Sequence, residues 1–366
     1  MKQLLVRVLG LTVLALVPTQ VLAMEFSIVG PRAAGMGGAG VAVTTDSLAT
    51  YWNPAGLAMT QTVDIRMQVT AQGVARNGAV DTFRNIEDCS SCAPADAQTY
   101  ATQINGQSAS VNGSAGLYIK GHAGNHAFGF NISDVAWAGS YPNQPFQATG
   151  ATVTGQLAMR GLEARQAVFS YAYAFADKTF SIGVSGKLIQ GAAYTGLATL
   201  TNGQDVTLSD HFGEAKISTG FGIDVGALYK PTDWLRLGVV AKDLTSPTFD
   251  APNGEQFKIS PQYRGGVAVN PYSSLTITFD GDILSNSTLV PNVKSQVLSL
   301  GAEQTLFSDL LSLRLGAYKN VADAASNVTP TAGFGLRIFA FQMDFGAGYD
   351  FKEGGVLGSG SLSLTF

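Results

Sequence analysis

The sequence predicts an all-β protein, a transmembrane antiparallel β-barrel of about 14 strands with an N-terminal plug of short helical turns in its lumen. Three observations predict it. The chain opens on an export leader, its strands alternate oily and polar residues, and its connections alternate short with long. Each element follows from the residues in turn.

Residues 1–23 read as a bacterial secretory signal. Lys2 and Arg7 supply a positive start, Val8 to Val17 an apolar run, and Val21-Leu22-Ala23 a small-residue cleavage site. The apolar run is too short for a permanent membrane helix. Beyond it, no apolar stretch approaches the roughly 20 residues that such a helix needs. Charged residues are only 13%, while glycines number 43 and aromatics reach 10%. That balance is low in charge for a soluble domain. A large soluble sandwich or solenoid is the rival class, and it would normally carry more charge outside. The chain has no basic tract and a formal charge of −4, so nucleic acid is excluded as a partner.

Residues 24–60 hold the stretch Gly30 to Ala58, GPRAAGMGGAGVAVTTDSLATYWNPAGLA. Gly35, Gly37 and Gly40 satisfy G-x-G-x-x-G, the fingerprint of a dinucleotide turn. That fingerprint needs a strand before it, a helix after it and an acid about twenty residues on. Here Asp46 follows Gly40 by six residues and no βαβ pattern is present, so a structural role is the better reading. Asp46 can cap a short helix over Ser47 to Tyr51. Asn53-Pro54 restarts a turn, with Asn as cap and Pro at the first helical position. Gly56 permits a left-handed exit or a close approach. Such irregular backbone cannot face lipid, where unpaired polar groups are prohibitively costly, so the barrel lumen is the place that satisfies it. A disordered linker ahead of the first strand is the bland alternative.

Residues 61–366 carry the barrel. Val63, Ile65, Met67, Val69 and Ala71 alternate with Asp64, Arg66, Gln68, Thr70 and Gln72. Phe341 to Phe351 repeats the pattern against Gln342, Asp344, Asp350 and Lys352. Period two gives each strand one oily and one polar face. The pattern predicts strands at 61–76, 107–120, 126–137, 160–175, 179–194, 212–230 and 234–244. It continues at 259–270, 274–284, 295–307, 311–319, 330–339, 341–352 and 357–366. Connections between them are by turns short (121–125, 176–178, 231–233, 271–273, 308–310, 340) and long (77–106, 138–159, 195–211, 245–258, 285–294, 320–329). Outer-membrane barrels alternate in this way, with short turns in the periplasm and long loops outside. Leu362, Leu364 and Phe366 end the chain on an alternating strand. A terminal Phe resembles the signal read by the barrel-assembly machinery, so Phe366 is the expected assembly signal.

The combined stretch Gly35-Met36-Gly37-Gly38-Ala39, Asp46 and Asn53-Pro54-Ala55-Gly56-Leu57 resembles the FadL-like superfamily of outer-membrane barrels. That superfamily includes fatty-acid and aromatic-hydrocarbon transporters, PorV-type secretion proteins and TraF-like conjugal-transfer proteins. The resemblance implies a 14-stranded barrel plugged by an N-terminal hatch, embedded in outer-membrane lipid, without enzymatic activity or cofactor. Its transporter members imply passive entry of hydrophobic small molecules, fatty acids or related compounds. Its PorV- and TraF-type members, which GMGGAGVAV and YWNPAGLA resemble more closely, imply contacts with secretion or transfer proteins and no small-molecule flux.

Other chemistry is sparse. Cys89 and Cys92 stand in the first long loop with no βαβ unit around them, and position 93 is Ala rather than the His that haem attachment needs. Two thiols alone cannot fill a structural zinc site, so a local disulfide is expected in an oxidising compartment. His122, His126 and His211 sit at turn or loop positions and predict no metal site; no G-x-S-x-G elbow occurs. Charges on the polar strand faces are more informative. Asp64, Arg66, Arg236, Arg314, Arg337 and Asp344 fall toward the lumen in this register, with Lys187, Lys216, Asp224, Lys242, Asp280, Asp282 and Asp350. They either pair across the lumen and anchor the plug or present a cation to the carboxylate of an amphipathic ligand.

Overall fold

The computed structural model describes residues 22–204 and 208–366. Most of the expected leader lies outside them. Fourteen strands close a barrel in chain order. They are β1 (Asp64–Arg76), β2 (Ser108–Ala123), β3 (His126–Thr149), β4 (Thr152–Phe175), β5 (Phe180–Thr201), β6 (Lys216–Thr232) and β7 (Leu235–Lys242). The circuit continues with β8 (Gln262–Tyr272), β9 (Leu275–Asp282), β10 (Val297–Leu306), β11 (Leu311–Asn320), β12 (Thr329–Ile338), β13 (Phe341–Tyr349) and β14 (Val356–Thr365). Every neighbour is antiparallel, and β14 closes on β1 in the register Thr365↔Asp64 to Val356↔Gly73.

The wall is inside-out relative to a soluble domain. Along β1, Asp64, Arg66, Gln68, Thr70 and Gln72 are buried in the lumen. Between them Ile65, Met67 and Val69 are 38%, 64% and 58% exposed on the outside. Ile132, Phe169, Leu188, Leu300 and Leu315 continue the exposed apolar face around the barrel. An outer surface of this kind is stable only in lipid, and no helix of the described residues is long and apolar enough to cross a membrane.

Three expected connections differ. The 22-residue link between the third and fourth strands is largely strand, because β3 and β4 extend to Thr149 and from Thr152. Pro142-Asn143-Gln144-Pro145 hid this extension, since proline cannot donate to a ladder. Register shifts between Pro142 and Gln144 and between Gln144 and Gln147 absorb it as bulges. The fifth strand likewise runs on to Thr201. The first long loop carries two helices, α3 (Ala79–Asp88) and α4 (Pro94–Ile104), with Pro94 in the first turn of the second. Ile86, Ala97, Ala101 and Ile104 pack these helices onto Phe146, Val153, Leu157 and Leu200 of the extended strands. The Cys89–Cys92 disulfide joins the two helices.

Residues 24–60 lie inside the barrel. Two short helices, α1 (Pro31–Gly35) and α2 (Ala49–Trp52), are followed by a 3-10 segment, Pro54–Met59. Nearly all of their residues are buried. The Asp46 carboxylate accepts the Leu48 N–H (2.9 Å) and the Asn53 side chain accepts the Ala55 N–H (3.1 Å). From the long-loop end, a small hairpin (Thr248–Asp250 with Gln256–Lys258) folds down over the lumen, and Leu22–Ala23 pairs with its second strand.

Candidate functional site

The plug divides the lumen into two chemically different ends. Toward the short turns, the plug is held by ions. Arg32 makes a two-pronged contact with Glu303, Nη2 to Oε1 at 2.6 Å and Nε to Oε2 at 3.0 Å, and its Nη1 donates to the Val43 carbonyl at 3.0 Å. Burial works against charge on Arg32, but Glu303, Asp46 and Asp344 together outweigh it and hold the guanidinium above its ordinary pKa. Glu303 also receives Arg314 Nε at 2.6 Å, and Arg314 Nη1 reaches Asp344 at 2.7 Å. From Asp344 the chain of charge passes to Arg66 (3.2 Å), and from Arg66 to Asp64 (3.4 Å) and Asp46 (3.3 Å). Asp64 in turn accepts the Ser47 N–H at 3.0 Å and the Ser47 hydroxyl. Lys120 ties the exit of the plug, donating to Thr45 O at 2.7 Å and Thr60 O at 3.1 Å.

The glycines of the opening motif have two kinds of work. Gly37 has φ 67, a left-handed conformation. A Cβ there would overlap the Ala317 backbone on β11. At Gly40 the chain turns so that the N–H groups of Gly40 and Val41 both donate to one carboxylate oxygen of Asp280, each at 2.7 Å. The motif therefore does bind an anion through its backbone, but that anion is a wall carboxylate and not a pyrophosphate. Asp280 could not be singled out from the other lumen acids by sequence.

Sequence reasoning also missed the wall glycines opposite. Gly301 and Gly316 are cross-strand partners, as are Gly333 with Gly346 and Gly183 with Gly226. The first two pairs lie under Pro31–Gly37, and the third lies under Asn53-Pro54-Ala55. A Cβ at Gly316 would overlap Gly37 N, and one at Gly183 would overlap Ala55 N. Plug backbone thus seats directly on wall backbone. Only paired glycines on adjacent strands permit that approach. Thr331 completes the seat, accepting Gly37 N–H at 2.9 Å and donating to Gly35 O at 3.0 Å. Asn53 Nδ2 reaches the carbonyls of Val41 and Ala227, both at 3.2 Å. Gly56 closes against the Thr44 carbonyl, where no side chain fits. Gly38, at φ 81, passes beside Ile28.

Toward the long loops the lumen is aromatic and apolar. Phe26, Tyr51 and Trp52 pack ring on ring, with centroids 5.3 to 5.8 Å apart. Trp52 Nε1 donates to Val29 O, and the Tyr51 hydroxyl to Ser27 O, both at 2.8 Å. Lys242 Nζ lies 4.3 Å from the Phe26 ring centre and 3.3 Å from that of Tyr51, and Arg264 covers Phe26 at 4.9 Å. Above them Met24, Trp137, Leu162, Ile189, Phe249 and Phe257 form one buried cluster. Trp137 Nε1 donates to the Glu25 carbonyl (3.3 Å), while the Glu25 carboxylate accepts Asn112 Nδ2 (3.0 Å).

The remaining expected positions divide. Arg236 points its Nη1 at Ala42 O (3.3 Å), and Arg337 lines a cavity at the short-turn end. Lys187 pairs with Asp224 (2.8 Å) and Asp243 (2.5 Å). Lys216 lies at the exposed long-loop end, paired with Asp250 (3.2 Å). His126 meets the Tyr171 hydroxyl on the outer wall (2.8 Å). Among the described residues no group of three or more His, Cys, Asp or Glu could hold a metal ion. Phe366 is exposed beside the closing seam, its backbone paired with Val63 (3.0 and 2.9 Å).

A closed 14-stranded barrel filled by its own N-terminal segment is the architecture that the resemblance to FadL-like barrels implied. The chain belongs to the family described as "F plasmid transfer operon, TraF, protein", whose model matches residues 50–282. No curated protein matches. Solved structures share the fold at low identity. The CymD monoaromatic hydrocarbon channel has a TM-score of 0.61 and 14% identity over 94% of this chain and 99% of that one. The toluene transporter TodX of P. putida has 0.58 and 13% over 93% and 99%. The toluene transporter TbuX of Ralstonia pickettii has 0.53 and 16% over 92% and 97%.

Proposed function

We propose that the protein is an outer-membrane barrel of the FadL-like type that passively admits small hydrophobic molecules. The observation that carries this reading is a recess of about 420 Å³ in the barrel wall. Val111, Gly113, Ala136, Ala138, Tyr194 and Phe212 line it. Trp137 and Leu162 belong both to this recess and to the buried cluster around Met24. Small residues hollow the wall there, directly over strand positions whose inward side chains belong to that cluster. The volume lies in the roughly 300–1,000 Å³ range of small-molecule sites. Structural neighbours named as hydrocarbon channels and toluene transporters support the reading by their shape. Uptake of radiolabelled toluene by cells with and without the gene tests it: severalfold faster entry with the gene is expected, and equal rates would refute it.

A second reading has its own support, the match to a family described by a plasmid transfer operon. In that case the barrel acts through contacts with secretion or transfer proteins. Conjugation frequency measured in the same pair of strains separates the two, since only the second reading expects it to fall.

A further inference from the structure

The lumen opens at its short-turn end into a cavity of about 250 Å³. Four guanidinium groups line it, those of Arg32, Arg66, Arg314 and Arg337, with three carboxylates, those of Asp46, Glu303 and Asp309. Two further carboxylates, Asp344 and Asp64, stand directly behind this lining and pair with Arg314 and Arg66. Arg32 and Arg314 are engaged by Glu303. Arg337 makes no ion pair among the described residues, and its Nε donates only weakly to the Phe339 carbonyl at 3.4 Å. Arg66 is 4% exposed, yet its Nε has no hydrogen-bond partner. Hydroxyls of Thr62, Thr305 and Ser312 stand in the same lining.

A guanidinium presents several N–H donors in a planar fork that fits a carboxylate or phosphate edge. Arg337, whose guanidinium has donors unused, stands beside these hydroxyl groups in a cavity open to solvent. The Asp46-facing edge of Arg66 is in the same lining, and together they make an oxyanion site. The plug's own Asp46 already supplies one such oxyanion. It faces Arg66 at 3.3 Å and its side chain is 22% exposed, so it is the member of the network that a solute anion can replace.

We propose that this mouth binds a small oxyanion, a carboxylate or a phosphate group, held by Arg337 and Arg66 in competition with Asp46. The site is separate from the wall recess and does not depend on the transport reading. Isothermal titration of the purified full-length barrel in micelles, at constant ionic strength, tests it with sodium benzoate and sodium phosphate as probes. Arg337→Gln should weaken binding tenfold or more, and Asp46→Asn should tighten it severalfold. Arg337 has no ion pair to lose, and heat-modifiable gel migration verifies that both variants fold. Stronger binding of benzoate assigns the site to a carboxylate, and stronger binding of phosphate to a phosphate group; either supports the proposal. An absence of binding by both probes, or an unchanged affinity in Arg337→Gln, overturns it.

Discussion

The two ends of the lumen hold the same plug by opposite physics. At the short-turn end, Arg32, Glu303, Arg314, Asp344, Arg66 and Asp64 form a continuous path of ion pairs across four wall strands and the plug. Such contacts are directional, and removing one partner from a buried pair costs about 3–5 kcal/mol. At the long-loop end, Met24, Trp137, Leu162, Phe249 and Phe257 pack their side chains into one apolar cluster, beside a few polar ties such as Trp137 Nε1 to the Glu25 carbonyl and Arg160 to Glu255. Apolar packing tolerates a rearranged neighbour when volume is kept. The difference implies a division of labour: the ionic end fixes the plug, and the apolar end tolerates rearrangement with less loss.

The largest effect should come from removing the plug itself. Deleting residues 30–58 removes α1, α2 and all but the last residue of the 3-10 segment, and no barrel strand. A barrel of this size has an interior wider than its side chains fill. The deletion protein should assemble and show ion conductance in planar bilayers raised at least severalfold over wild type. Conductance no greater than wild type from a correctly assembled deletion would mean that the wall side chains close the pore unaided.

Next in size is the contrast between the ends. Glu303→Gln leaves Arg32 and Arg314 facing an uncharged amide, and its expected cost is about 3–5 kcal/mol. Phe257→Leu in the apolar cluster keeps most of the packing, and its expected cost is nearer 1–2 kcal/mol. Urea unfolding of both variants in micelles measures the two directly. A reversed order would put the anchor at the apolar end and break the comparison.

How far this could be read from the residues differs between wall and lumen. All 14 strands announced themselves because lipid outside and a polar-lined lumen inside impose period two on every one of them. The plug was legible because irregular, glycine-rich backbone has nowhere else to go in a membrane. Its seat was not. Gly183, Gly316 and Gly333 carry no polarity, so alternation counts them on neither face, and their use depends on which glycine lies across the ladder. Asp280 was one lumen acid among several until the register brought it to Gly40 and Val41. The helices at 79–88 and 94–104 left a usable signal, Pro94 ahead of an alanine-rich run. Phe249 and Phe257 left none, because a loop residue that folds back into the lumen looks in sequence like one that faces solvent.

The smallest expected effect concerns Glu25 of the plug, which lines a cavity toward the long loops with Gln72, Arg76, Asn112 and Arg264. Burial pushes the Glu25 carboxyl above its ordinary value of 4.5, and Arg76 and the hydrogen bond from Asn112 offset this only in part. The folded state therefore holds this proton more tightly than the unfolded chain, which titrates near its ordinary value. By linkage, the stability from this group is complete below the unfolded pKa and is lost as pH rises through the raised folded pKa. Glu25→Gln removes the charge and keeps an oxygen for Asn112 to donate to. The variant should unfold at a higher urea concentration than wild type at pH 8, and the gap should close as pH falls toward 4. Were wild type the more stable at pH 8, Arg76 would be pairing with Glu25 strongly enough to outweigh burial. The long-loop end would then be ionic as well, and the contrast between the two ends would reduce to one of degree.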